Sequence, residues 1–314
     1  MVVHFLYMKK FFIALLFLKC SVLFCHDFSF LVTPFFSYNN NTLTYSIYDG
    51  PKLNSRLDWE TPYLLNAGLQ TDFHYNNLIL NISNAAAIPL KSGNMFDSDW
   101  YTEGIKSSLS KSDLYTDFCY DLKIEFEYRF KLPKDFSILP TISFNYSYSS
   151  FNAKNTIGWC GDTGHTNLNQ DYPWDSEYAV TVKKEGIDLV NNLYIFFFGI
   201  QIEKQFNNFK FDFATAISPY IYISSIDHHL NNLGGRYYLL LQEAFFSSYS
   251  FDLSCSYKIN SKNTIFLKPS YCFCPEIKGV FYSGKTKSED ALIDQPCSFN
   301  FSKFSIKLGW TLLW

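Results

Sequence analysis

The chain has 314 residues, 47% of them hydrophobic and 20% aromatic, with a formal net charge of −3. That balance gives no reason to expect a nucleic-acid partner, and no internal apolar stretch is long enough for a membrane helix. Aromatic residues at this level suit the girdles that a transmembrane β-barrel places at its two lipid interfaces.

At the N-terminus, residues 8–25 read MKKFFIALLFLKCSVLFC, a lysine pair followed by an apolar run without any acid. This is the pattern of a secretory signal peptide: it is short, and no second apolar helix follows. The expected domains are therefore a signal peptide over 1–25 and an outer-membrane β-barrel over 26–314.

From there on, short turns alternate with longer polar stretches. Tight reversals rich in Asn, Pro or Lys fall at 73–77, 132–136, 205–209 and 259–263, and longer polar segments near 49–55, 94–114, 154–186, 227–236 and 276–302. Four short turns and five loops imply ten strands with both termini on the short-turn side. In such barrels the short turns face the periplasm and the long loops the exterior. The fold class expected is all-β, a ten-stranded antiparallel transmembrane barrel.

In segment 78–92 the even positions from Leu78 to Leu90 read as lipid-facing, and Asn81, Ser83 and Lys91 as lumenal. The alternation carries Asp97 and Asp99 of NMFDSDW inward together, at the extracellular end. Two carboxylates on one face repel, so one keeps or shares a proton, which is useful in acid–base chemistry. Alone, an Asp-x-Asp in a loop is more often a solvated or calcium-binding face.

The stretch FCYDLKIEFEYRFKL at 118–132 alternates almost without error. Phe118, Ile124, Phe126 and Tyr128 are expected to face lipid, and Asp121, Lys123, Glu125 and Arg129 the lumen. Fifteen residues span about 50 Å, far beyond a strand of about five or six residues in a soluble protein.

Segment 209–226 also runs outward and ends at SSIDHHL, residues 224–230. Asp227 and His229 share the i, i+2 spacing, and a carboxylate beside an imidazole orients it and raises its basicity. Here parity breaks: Phe211, Phe213, Ile217, Ile221 and Ile223 read as one lipid-facing row, which would turn the dyad outward. A β-bulge, common at barrel rims, would restore it.

Six cysteines follow the leader (119, 160, 255, 272, 274 and 297), and their pairing is not written in the sequence. The last segment, FSIKLGWTLLW, alternates again and ends on Trp314. It is similar to the terminal insertion strand of bacterial outer-membrane barrels.

With SRLDW at 55–59 on the preceding strand, NMFDSDW and the Asp-x-His of SSIDHHL resemble the omptin family of outer-membrane proteases. The likeness covers nearly the whole mature chain. It implies an endopeptidase in which Asp227–His229 faces Asp97–Asp99 across the mouth and holds a water. By the resemblance, His229 is the base, Asp227 orients it, Asp97 positions the water, and Asp99 supports Asp97 and the oxyanion, without an acyl-enzyme. It further implies polypeptide substrates at the cell surface, outer-membrane lipid as surroundings, and no metal or other cofactor.

Two positions depart from the family. Members that cut between basic residues carry an acid two positions before the dyad Asp and another on the first strand; this chain has Ser225 and Tyr45, with Asp49 a poor alternative. A strict preference for Arg or Lys at P1 is therefore expected to be weakened or lost, with Ser225 lining the substrate pocket. At the outer-wall position where the family uses arginine for lipopolysaccharide stands Asn192, so a lipopolysaccharide requirement is not expected. The alternative from another class is a barrel that keeps this fold as a porin, adhesin or receptor; a metal-dependent hydrolase is a distant third.

Overall fold

The computed structural model describes residues 28–100, 106–160, 172–230, 235–284 and 294–313. The expected signal peptide and Trp314 lie outside the described residues. The strands are β1 (Phe28–Asp49), β2 (Lys52–Tyr75), β3 (Leu78–Ala87), β4 (Lys91–Asp99), β5 (Ser108–Tyr128), β6 (Phe130–Leu132) and β7 (Phe136–Cys160). They continue as β8 (Val180–Phe206), β9 (Phe209–His229), β10 (Arg236–Ala244), β11 (Ser248–Lys258), β12 (Asn263–Gly284) and β13 (Asp294–Leu313).

Three of these divisions are interruptions within one longer strand. β3 and β4 both pair with β2 and β5, β10 and β11 both pair with β9 and β12, and β6 extends the edge of β5 against β7. Joined in this way they give ten antiparallel strands, and β1 pairs with β13 to close the ring. Closure removes the sheet edges that a membrane could not solvate. The short turns after β2 and β8 place Asn76 and Asn207 at φ of 54° and 51°, a left-handed geometry that Asn tolerates.

The alternation at 118–132 holds. Phe118, Phe126 and Tyr128 are exposed on the outside. Inside, Arg129 grips Glu203 with two 3.1 Å bonds, Lys303 meets Asp121 at 2.9 Å, and Lys123 meets Glu125 at 2.8 Å. Phe304, Ile306, Leu308 and Trp310 of the last strand are also exposed, as a lipid face requires.

The polar stretches expected as loops are shorter than the sequence suggests. Residues 94–99, 108–114, 276–284 and 294–302 all lie in strands. The 27 residues of β8 amount to a contour of about 90 Å. Even at a tilt of about 35–45° that exceeds the roughly 25 Å apolar band, so the strands continue well past the membrane. Beyond it neither face needs to be apolar, and the sequence there resembles loop.

The interior has two layers. Towards the short turns a cavity of about 330 Å³ is lined by Glu127, Arg129, Glu203, Lys210, Asp212 and Lys268, among others. Towards the loops the lumen is filled with apolar side chains, with Tyr45, Trp59, Met95, Leu114, Phe151, Leu189, Ile221, Ile223 and Phe299 all but fully buried.

This second layer corrects the reading of β9. Phe211, Phe213 and Ile217 face outward, but Ile221 and Ile223 are completely buried inside. Between them, Ile217 to Tyr220 on β9 spans only Phe198 to Phe196 on β8, so one extra residue is accommodated at Ser218–Pro219. Pro219 has no N–H to give to a ladder, and a bulge is where a strand tolerates that loss. Lys91, expected in the lumen, is instead exposed at the break between β3 and β4 and pairs with Asp113 at 2.6 Å.

Candidate active site

The Ser218–Pro219 bulge turns every odd position of the outer part of β9 inward, including Ser225, Asp227 and His229. His229 Nε2 lies 3.2 Å from Asp227 Oδ2, and Asp227 is 5% exposed. Its Oδ1 is buried without a hydrogen-bond partner among the described residues. His228 stacks on Tyr237 at 3.9 Å and 6°, so of the two adjacent imidazoles only His229 joins the dyad.

Asp97 and Asp99 come from β4, where Asp97 pairs with Leu57 of β2 and Ser110 of β5. Ser108 donates its hydroxyl to Asp99 Oδ2 at 2.6 Å. On β2, Leu57 is buried inside, while Arg56 and Asp58 form an ion pair at 2.9 Å on the other face. A charged outer wall at this height places the pair above the lipid band.

The two elements meet electrostatically across the mouth. Burial, then the charge of Asp99, pushes the Asp97 carboxyl up to about 7, and His229 partly opposes that rise. Burial works against the charged imidazole of His229, but Asp227, backed by Asp97 and Asp99, outweighs it and raises the group to about 9. All four sequence-predicted residues are thus gathered at one end of the barrel. Among the described residues, no three or more His, Cys, Asp or Glu side chains close into a group that could hold a metal ion.

One pleat deeper, Ser225 Oγ lies 2.7 Å from the Tyr45 hydroxyl and donates to Asn191 Oδ1 at 2.7 Å. Tyr45 Oη is also 3.2 Å from that oxygen. All three side chains are buried, and burial raises the Tyr45 phenol further, so the group is uncharged. Asn191 was not legible in the sequence; its only signal is that it stands opposite Ser225 on β8.

The omptin family profile matches residues 36–312. The chain belongs to the omptin family. The fold is that of a crystal structure of outer membrane protease OmpT from Escherichia coli, at a TM-score of 0.77 and 12% identity. That match covers 91% of this chain and 97% of the other. Neisserial surface protein A (6% identity, TM-score 0.31, 90% and 96% covered) and the outer membrane protein OprG from Pseudomonas aeruginosa (11%, 0.32, 91% and 95%) also match. Superposition on those two is too loose to inform the site. No curated protein matches the chain by sequence.

Proposed function

We propose that this omptin is an outer-membrane endopeptidase whose site opens to the exterior and activates a water between Asp97–Asp99 and Asp227–His229. The observation that carries the reading is the buried Asp227–His229 bond at 3.2 Å in electrostatic contact with a second carboxylate pair. With Nε2 committed to Asp227, Nδ1 is the nitrogen left to act as base.

In the reaction, the water oxygen bonds to the scissile carbonyl carbon and its proton passes to His229 Nδ1. The carbonyl π pair moves onto oxygen. Collapse re-forms the C=O bond and breaks C–N, and the proton on His229 goes to the leaving amine. Asp97 positions the water with Asp99 beside it, Asp227 holds the imidazole, and no covalent acyl-enzyme forms. The substrates are polypeptides at the cell surface. No metal or other cofactor takes part, and no lipopolysaccharide is required, since Asn192 is an uncharged amide that accepts from Tyr146 at 3.0 Å.

The porin alternative is disfavoured by the apolar layer of Trp59, Phe151, Ile221 and Phe299, which fills the lumen between the mouth and the charged cavity. An adhesin or receptor would keep such a layer, so the deciding experiment is chemical. Digestion of a peptide library by the refolded protein, with and without lipopolysaccharide, should yield internal cleavages that the His229→Ala protein does not make. A library left intact by the wild-type protein under both conditions would refute the proposal.

A further inference from the structure

The reaction puts a negative charge on the former carbonyl oxygen in a mouth that already contains Asp97, Asp99 and Asp227. A carboxylate repels that charge, and Asp99 Oδ2 already accepts from Ser108. The site therefore needs a neutral or cationic hydrogen-bond donor beside the dyad, aimed where the charge develops.

β10 supplies one. In the ladder between β9 and β10, Tyr238 stands directly opposite Asp227, and Arg236 directly opposite His229. The Tyr238 ring meets the His229 ring edge-on at 4.7 Å and 75°, and lies flat against Phe281 at 5.3 Å and 16°. Two ring contacts in different planes hold the phenol in place. Arg236 and Tyr238 stand two residues apart on one face of β10; burial raises the Tyr238 phenol, and Arg236 opposes that rise. The phenol thus stands against the dyad, on the strand next to it.

A phenol has one proton to give and lone pairs to receive. Arg236, a donor without acceptor capacity, can take only a lone pair of the Tyr238 oxygen, which leaves the O–H to donate elsewhere. We infer that Tyr238 is a further catalytic residue, donating its O–H to the oxyanion formed from the scissile peptide carbonyl, with Arg236 as the positioning residue that orients and polarises it. The inference rests on the endopeptidase reading. It supplies a hydrogen-bond donor which that reading otherwise lacks.

The test uses the full barrel and a peptide that the wild type cleaves. Tyr238→Phe keeps the ring and its contacts with His229 and Phe281 and removes only the hydroxyl. Loss of one oxyanion donor is expected to lower kcat about 10²-fold or more, with KM changed less than about threefold. Arg236→Gln should lower kcat by a smaller factor, and Arg236→Lys should recover part of that loss. Heat-modifiable migration on gels reports folding for each variant. A folded Tyr238→Phe protein with wild-type kcat, or with its whole loss in KM, overturns the inference. Wild-type cleavage that is abolished in His229→Ala leaves the endopeptidase reading standing whatever Tyr238→Phe does. Cleavage surviving in His229→Ala overturns both.

Discussion

His229 and Asp227 meet through Nε2 and Oδ2 at 3.2 Å, and that choice of nitrogen decides which end of the imidazole is left for chemistry. Removing the ring should lower turnover by about 10²–10⁴, the usual contribution of a general base. Steady-state kinetics of His229→Ala against a cleaved peptide would measure this. Activity should persist in EDTA and in serine-protease inhibitors, since neither a metal nor a serine nucleophile is invoked. Complete loss in EDTA, restored by zinc, would promote the metal reading.

The pH dependence follows from the same pair. A base must be deprotonated to act, so activity is lost as pH falls below the pKa of His229, raised to about 9. Asp97, raised to about 7, must also ionise to position the water as a carboxylate. The kcat/KM of the free enzyme should therefore climb from about pH 6 towards 9, and more steeply below about 7, where two protons must leave. A profile flat from pH 5 to 8 would show that neither group controls the rate.

Asp97 also makes a prediction about stability. Its folded pKa, about 7, lies above the ordinary 3.8. The folded protein retains a proton that the unfolded chain has lost, and stability falls as pH rises through this window. Asp97→Asn removes that penalty and the charge that positions the water. Near neutral pH the variant should be inactive and more stable by about 1 kcal/mol, a rise in melting midpoint of a few degrees. A gel-shift melt showing a lower midpoint would mean that the carboxylate is stabilising where it stands.

Specificity is where the chain is expected to depart from the omptin pattern. A buried cationic P1 side chain needs a carboxylate to replace its hydration, and the Tyr45–Asn191–Ser225 group carries no charge. The library profile should show less than about a hundredfold preference for Arg over Gln at P1, worth about 2.7 kcal/mol. Ser225→Asp should move the preference towards basic residues. An unchanged profile in that variant would show that Ser225 does not line the pocket.

Much of the fold was legible because the membrane imposes contrast. From Phe118 to Leu132 lipid and lumen demand opposite side chains at successive positions, and periodicity reveals the strand. The signal fades above the lipid. Residues 94–99 and 294–302 are strands whose two faces share a mixed character, and composition alone reads them as loop. Ile221 and Ile223 misled for the opposite reason: they are apolar because they fill the lumen, not because they meet lipid. Asp97, Asp99, Asp227 and His229 stood out by spacing and by family likeness. Asn191, Arg236 and Tyr238 did not, since each acquires its place only through the neighbouring strand.

The extra residue at Ser218–Pro219 behaves like a frameshift. Residues of β9 before it alternate between lipid on one side and lumen on the other, and those after it alternate in the opposite phase. Adding or deleting one residue between Ile217 and Asp227 would present His229 to the outer wall. A change of two would keep the phase and shift only the height. Length variation along this segment therefore acts in two ways: an odd step turns His229 outward, and an even step keeps it inward but moves it about 7 Å along the strand, away from Asp97.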